Sequence, residues 1–297
     1  MIRYDPHRWL DHFFDIRGSL IREISCRVLL CVAWSAAVVW FHTRVAPVGV
    51  SPVAHSLVGV ALGLLLVFRT NSSYDRFWEG RKLWGGIVNE TRNLVRMAHV
   101  HLKDEPELFR RLTLWTAAFP WAAMRTLRGE PLDADLGRLL PPPDVEYIAA
   151  AQHPALAVSI EMTACLAEAR WRGAISDIVL TAMDRNIELL VDYLGGCERI
   201  RKTPLPFAYV VHLRRVLVLY CFTLPFALVE TFGWATVLDV FLLTYTFFGI
   251  EEIGVEIEGP FGDDANDLPL EEFCEGIDAN LLALTRPRIS AAPVPGS

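Results

Sequence analysis

The chain is 297 residues long, 53% of its residues are hydrophobic, 21% are charged, and its formal net charge is −7. It is too apolar for an average soluble domain and too charged for a protein made only of membrane spans, so part of it is expected in lipid and part in water. The excess of 35 acidic over 28 basic residues argues against a nucleic-acid partner, which would favour a basic patch.

Residues 1–25 form the first segment in chain order. They carry aromatic and charged side chains without an apolar core, so no cleavable signal peptide is expected before the first span. Trp9, Phe13 and Phe14 lie close together between arginines. Two interpretations stay open for this segment: a helix at the membrane surface, or a cytosolic helix packed on the rest of the protein.

The next segment, residues 26–68, is predicted to be a membrane hairpin. Residues 28–41 are uncharged, and residues 45–68 are 24 consecutive residues without Asp, Glu, Lys or Arg, enough to cross a bilayer core as a helix. Ser51 followed by Pro52 is a helix-start signal, so the turn of the hairpin is expected just before Ser51.

The composition changes abruptly at Arg69. The residues that follow are polar and charged, yet no Gly or Pro occurs until Gly80, which predicts that one helix carries the chain out of lipid into water. Basic residues precede and follow the hairpin, whereas only Arg44 lies near its turn. The positive-inside rule therefore places the N-terminus and the middle of the chain in the cytoplasm.

Residues 69–203 are predicted to be a helical cytosolic region, since no run in it is long enough to span and almost nothing is typical of a strand. Helical periodicity recurs in residues 86–103, 106–127, 154–172 and 174–194. Gly195 and Gly196 are interpreted as the stop of the last of these helices.

A second membrane hairpin is predicted for residues 204–250. Its two apolar runs contain few ionisable residues, namely His212, Arg214, Arg215, Glu230 and Asp239. Four spans result, and an even number returns the chain to the cytoplasm. The predicted fold class is therefore all-α, with four transmembrane helices in two hairpins and a helical cytosolic body.

The C-terminal part of the chain divides in two. Residues 251–285 are an acidic segment expected in the cytoplasm, and residues 286–297, rich in Pro, Ala and Ser, are expected to be a disordered tail. Both termini are thus predicted to be cytoplasmic.

Motifs of enzyme chemistry do not occur: there is no H-E-x-x-H, Gly-rich phosphate loop, G-x-S-x-G or zinc pattern, so the protein is predicted not to be an enzyme. Ionisable groups beside the spans leave one alternative open, a proton-coupled membrane transporter or membrane enzyme that uses Glu251, Glu252 and His212.

The second predicted span carries an apolar stripe. Val53, Leu57, Val60, Leu64 and Phe68 recur at steps of three and four residues, beside a G-x-x-x-G pattern that permits close helix packing. Several copies of such a stripe around an axis would make a hydrophobic constriction that gates ions by dewetting. Ordinary helix packing or lipid contact explains the same stripe, and both interpretations stay open on the pattern alone.

Four motifs in order resemble the bestrophin family of ion channels in its bacterial form. They are RGS at 17–19, FRTNSSYDRFWEGRKLWG at 68–85, GGCERIRKTPLPFAY at 195–209 and IEGPFGDDANDLPLE at 257–271. The resemblance implies a homopentamer in the bacterial inner membrane, with one central pore that passes small monovalent ions passively. Animal relatives conduct chloride and other anions, whereas bacterial relatives are reported with cation preference, so the sign of the ion stays open.

The resemblance also assigns residues to the pore. It places Val60, Leu64 and Phe68 at the neck, where valine and leucine replace the isoleucines and phenylalanines typical of the family. Counting back from the Gly195-Gly196 motif places Ile178 at a second, cytosolic constriction.

The acidic motif resembles the calcium clasp of animal bestrophins, which couples calcium to opening. The resemblance therefore implies Asp264, Asp267 and Glu256 as candidate calcium ligands. Two donors of the animal motif are absent, because Gly259 replaces an asparagine and Ala265 interrupts the acidic run. A structural brace is the other interpretation, and no cofactor is expected to be required.

Overall fold

The computed structural model describes residue 7 and residues 20–285, without the side chains of residues 133 and 134. Most of the N-terminal segment predicted for residues 1–25, including the RGS motif, lies outside these residues. The tail predicted for residues 286–297 lies outside them as well.

All regular structure within the described residues is helical, as predicted. In chain order the α-helices are α1 (Ile21–Arg44), α2 (Pro52–His101), α3 (Pro106–Arg128), α4 (Asp133–Leu136), α5 (Pro142–Ala150), α6 (Pro154–Trp171), α7 (Asp177–Lys202), α8 (Phe207–Phe232), α9 (Thr236–Glu256) and α10 (Leu270–Leu284). A short 3₁₀ helix, Gly233–Ala235, joins α8 to α9.

Helix α2 is 50 residues long and continuous. It begins at Pro52, as the Ser51-Pro52 signal predicts, and it passes through the change of composition at Arg69 without a break. The predicted continuity is therefore confirmed. The periodicity seen in residues 86–103 belongs to this same helix.

The chain divides into two compact units. Of the described residues, unit one contains those up to residue 79 and residues 203–267, and unit two contains residues 80–202 and 268–285. The segment boundaries predicted from the sequence separate lipid-facing from water-facing residues and not compact units, so they stay predictions.

In unit one, α1, α8 and α9 pack against one another, and α2 contributes to the same core. Apolar side chains from all four helices are buried together, because each helix turns one apolar face inward. The core contains Ile24, Val28, Leu62, Leu66, Leu213, Leu217, Tyr220, Cys221, Leu224, Val240 and Phe248.

In unit two, α3 packs on α6 and α10, and α6 packs on α7. The predicted helix stop at Gly195-Gly196 is wrong, since α7 continues through both glycines to Lys202. Gly196 faces Leu83 so closely that a Cβ at residue 196 would lie 2.8 Å from the leucine Cδ2. Tertiary packing thus explains a glycine that the sequence pattern alone presents as a helix terminator.

Three segments of the described chain are long and apolar enough to span a membrane: Ile21–Arg44, Pro52–His101 and Phe207–Glu256. The third is not one straight helix, because the chain turns at Gly233, whose φ of +53° favours glycine, and α8 then packs on α9.

Candidate ion pathway

The predicted neck residues lie on the outer face of α2. Val60, Leu64 and Phe68 are 66%, 56% and 62% exposed, whereas Leu62 and Leu66 of the same helix are fully buried in the core of unit one. Val53 and Leu57 extend the exposed stripe towards the start of the helix. The helix thus packs with one apolar face and presents a second apolar face outward.

A contiguous apolar surface of this kind needs a non-aqueous neighbour. Lipid, another protein chain and a dewetted pore each provide one. The stripe is therefore brought together as predicted, and its role in the pore stays a proposal.

The glycines of the G-x-x-x-G pattern differ in their surroundings. At Gly59 an added Cβ would lie 2.8 Å from the Tyr220 hydroxyl, so this glycine lets α2 approach α8 closely. Gly63 has no atom within 4 Å of such a Cβ. Of the two glycines, only Gly59 is therefore explained by close packing of α2 on α8.

Arg69 follows directly after Phe68, a predicted neck residue, and its side chain is only 1% exposed. Its Nη2 donates to Glu258 Oε2 at 3.3 Å, while Nε and Nη1 are buried without a hydrogen-bond partner. Gly254 on α9 makes room for it, because a Cβ there would lie 3.2 Å from Arg69 Nε. The sequence presents Arg69 as the first residue outside lipid, whereas the structure places it inside unit one.

Glu258, within the acidic motif, connects several parts of unit one. Besides the Arg69 guanidinium, its carboxylate accepts a hydrogen bond from the Leu205 backbone N–H at 3.0 Å, and its carbonyl accepts one from Arg76 Nε at 3.2 Å. Arg76 Nη1 also donates to the Thr203 carbonyl at 2.6 Å. The motif therefore ties α2 to the chain segment before α8.

The candidate calcium ligands also make contacts within their own loop. Asp267 is buried and its Oδ2 accepts the Asp264 backbone N–H at 3.0 Å, while Glu256 Oε1 accepts from the Asn266 side-chain amide at 3.1 Å. Burial raises the pKa of Asp267 to about 6; the hydrogen bond from the Asp264 backbone N–H opposes this rise, and the negative charges of Asp264 and Glu256 add to it.

The described residues contain no group of three or more His, Cys, Asp or Glu arranged to hold a metal ion. One carboxylate oxygen of Asp267 and one of Glu256 already accept hydrogen bonds from neighbouring residues, which favours the structural brace over the clasp. Within unit one the brace joins the acidic motif to α2.

The two carboxylates on which the alternative transporter hypothesis depends each accept a hydrogen bond from an arginine. Glu252 Oε2 accepts from Arg27 Nη1 at 2.7 Å, and Glu251 Oε1 accepts from Arg214 Nε at 2.9 Å. Both glutamates are buried, whereas His212 is exposed and does not take part in these hydrogen bonds. The cluster links α1, α8 and α9 of unit one, which is a structural role.

Ile178, the predicted cytosolic constriction, lies in the first turn of α7 in unit two and is 83% exposed. The Ser176 Oγ accepts the Val179 backbone N–H at 3.3 Å and so caps the start of this helix. Asp177 pairs with Arg170 on the other side of the turn. These contacts hold the turn while the isoleucine side chain projects outward.

The regular structure of the described residues is helical and includes three segments apolar enough to span a bilayer, which is typical of an integral membrane protein. The family model described as "Bacterial/Fungal Bestrophin protein" matches residues 1–283. The chain belongs to this family, and the predicted resemblance is confirmed.

Curated relatives share most of their length with the chain. It is 42% identical to the voltage-dependent anion channel-forming protein sll1024 of Synechocystis, over 93% of this chain and 91% of the relative. It is 35% identical to the voltage-dependent anion channel-forming protein YneE of Escherichia coli K12, over 96% of this chain and 94% of the relative. These are names of channels, in agreement with the prediction that the chain is not an enzyme.

The fold agrees with that of solved bestrophin structures. A bacterial bestrophin homologue from Klebsiella pneumoniae is 37% identical, with a TM-score of 0.83, and the match covers 89% of this chain and all of that one. A mutant of the Klebsiella pneumoniae homologue matches with the same score and identity, over 88% of this chain and 98% of that one.

Some of the contacts that organise the site were not predicted from the sequence. The signals were present: Arg69 follows an apolar run without interruption, Arg27 precedes an apolar run, and Glu252 is one of two adjacent glutamates that follow another. Which charge pairs with which could not be inferred, since the partners are far apart in the chain.

Proposed function

We propose that this protein is a homopentameric membrane channel that passes small monovalent ions passively. The observation that carries the proposal is the apolar stripe of α2, which remains exposed although the same helix buries its opposite face. The family and the names of the relatives support the channel class.

The neck of the channel is formed by Val60, Leu64 and Phe68 of each copy. Rings of such side chains around a common axis exclude water when the gap is narrow, and an ion then cannot pass with its hydration shell. Ile178 forms a second narrow ring, and its projection from a capped helix start supports this assignment.

The membrane topology is four spans, α1, the first part of α2, α8 and α9, with both termini in the cytoplasm of a bacterial inner membrane. The break at Gly233 and the packing of α8 on α9 support counting these two helices as separate spans. The distribution of arginines around the first hairpin supports the orientation.

The channel needs no cofactor, and the acidic motif acts as a brace around Glu258. The hydrogen bonds from Leu205, Arg69 and Arg76 support this role. Its partners are monovalent ions, the lipid bilayer and other copies of the same chain, without nucleic acid.

The test is the current through purified protein in planar bilayers under a potassium chloride gradient. Val60→Ala is compared with Val58→Ala, the same chemical change on another face of the same helix, where Val58 is 44% exposed. We expect a defined reversal potential in the native channel, a severalfold higher conductance with Val60→Ala or Leu64→Ala, and native conductance with Val58→Ala. Equal conductance in all three variants would show that the stripe does not form the neck.

The transporter hypothesis makes a different prediction for Glu252→Gln. A proton-coupled carrier that uses this carboxylate loses transport, whereas a channel in which Glu252 pairs with Arg27 keeps its ion current and loses thermal stability. Loss of all flux with Glu252→Gln in a stable protein, together with native conductance in Leu64→Ala, would favour the carrier.

A further inference from the structure

Unit one contains a cavity of about 730 Å³ beside helix α9. The start of α1 and one segment of α2, with Tyr74 and Phe77, line it together with α9. The cavity can be reached from outside, because Tyr74, Tyr245 and Ile253 in its lining are all exposed. A cavity of this size with a mostly apolar and aromatic lining is typical of a site for a small molecule.

The apolar part of the cavity is long and has room at Gly249. The nearest atom to a Cβ added there, Ile24 Cδ1, lies 4.0 Å away, so close helix packing does not require this glycine. Along α9 the lining runs from Tyr245 to Glu256, which are 11 residues or about 16 Å apart on the helix axis. These dimensions suit an extended alkyl chain.

The cavity has an acidic end, formed by Glu256 and Asn266. Glu256 Oε1 accepts a hydrogen bond from the Asn266 side-chain amide at 3.1 Å, and among the described residues Glu256 makes no ion pair. The described residues that line the cavity include no lysine, arginine or histidine. A carboxylate in this position is therefore available to a positively charged ligand.

The arginines of unit one that lie near the lining do not neutralise Glu256. Arg27 pairs with Glu252 at 2.7 Å, and Arg76 donates to two backbone carbonyls. Arg22 is exposed and is not among the lining residues. The acidic end therefore keeps its negative charge beside an apolar wall.

We propose that this cavity binds an amphiphile that has an ammonium head group and a single alkyl chain. The ammonium ion pairs with the Glu256 carboxylate, and the alkyl chain lies along α9. Aromatic rings of the lining favour the same class of ligand, since their faces attract ammonium ions. An anionic amphiphile is disfavoured, because the carboxylate repels it. The inference does not depend on the proposed channel function, since binding is measured without current.

The test is a calorimetric titration of octylammonium chloride into the purified full-length protein in a neutral maltoside detergent, with protein-free micelles as the blank. Octanol and sodium octanoate carry the same alkyl chain without the cation and serve as comparison ligands. We expect octylammonium to bind at least about tenfold more tightly than either, which corresponds to about 1.4 kcal/mol for the charged contact.

Three variants separate the head group from the chain. Glu256→Gln should weaken octylammonium binding about tenfold and leave octanol binding unchanged, because the amide removes the charge and still offers an oxygen to Asn266. Asp263→Asn is the matched control, at an exposed acid of the same loop outside the lining, and should bind like the native protein. Gly249→Leu should abolish binding of both octylammonium and octanol, because its side chain fills the cavity.

Several results would overturn the inference. Octanol or octanoate binding as tightly as octylammonium would show that the carboxylate does not select the ligand. Equal weakening in Glu256→Gln and Asp263→Asn would reduce the effect to the general negative field of the loop. Unchanged affinity in Gly249→Leu with a native melting temperature would place the ligand outside the cavity. If Gly249→Leu does not fold, Thr246→Phe, at another lining residue of α9, fills the cavity in its place.

Discussion

At the scale of single residues, burying an arginine next to the proposed neck is costly unless its charge is compensated. Arg69 is 1% exposed and makes one ion pair, with Glu258, at 3.3 Å. Moving either charge out of water is unfavourable, so each depends on the other for its place in unit one. The Arg69–Glu258 pair holds α2 to the acidic motif.

Replacing Arg69 alone should therefore be worse than replacing both partners. We expect Arg69→Met to lower the free energy of unfolding by about 2 kcal/mol, because Glu258 loses its compensating charge. The double variant Arg69→Met/Glu258→Gln should recover most of that loss, since the amide oxygen still accepts the Leu205 N–H. Thermal unfolding in detergent measures both, and a double variant less stable than Arg69→Met would contradict the pairing.

At the scale of elements, the long helix α2 packs through glycines as well as through apolar side chains. A Cβ at Gly86 would lie 2.5 Å from the ring of Tyr193 on α7, so the two helices of unit two approach each other closely. Gly195 on α7 differs, since no atom lies within 4 Å of an added Cβ. Two helical glycines thus have opposite tolerance for a methyl group.

The two glycines offer a matched pair of substitutions. We expect Gly86→Ala to destabilise the protein by about 1–3 kcal/mol, because the Tyr193 ring must move out of its packed position. Gly195→Ala should leave stability unchanged or raise it by up to about 1 kcal/mol, because alanine favours the helix. Melting temperatures of both variants test this, and a stable Gly86→Ala would show that the ring yields freely.

At the scale of the whole molecule, the described residues leave a large apolar surface uncovered, part of which the proposed homopentamer buries. The neck stripe and Ile178 are exposed in the same chain that fully buries large side chains such as Trp84 and Phe119. Lipid covers part of such a surface, but Ile178 lies outside the apolar segments. In the proposed homopentamer, the Ile178 side chains of the copies together form the second constriction.

Substitution of Ile178 should therefore change the oligomer's conductance and not the stability of the chain. We expect Ile178→Ala to raise single-channel conductance severalfold, with an unchanged melting temperature because the side chain is 83% exposed. Trp171→Ala, at a 91% exposed apolar residue of the same unit, is the control and should conduct like the native protein. The native oligomer is expected at five times the protomer mass of 33.4 kDa. Native conductance in Ile178→Ala would show that Ile178 does not form a second constriction.

The sequence by itself determined the helical class, the apolar segments, the continuity of α2 and the spacing that puts Val60, Leu64 and Phe68 on one stripe. These follow from local properties: the length of an uncharged run, the spacing of apolar residues along a helix, and a proline at a helix start. The family motifs were also readable without the fold, because their residues are contiguous.

Only the tertiary structure determined which charged side chains are buried and which of them form pairs. Arg69 and Glu258 are 189 residues apart, and Arg27 and Glu252 are 225 apart, so no local pattern could pair them. The role of Gly196 also depends on the fold: it lies inside a helix, where Leu83 from another helix packs against it. Burial and pairing depend on which elements meet, and that is a property of the fold and not of any one segment.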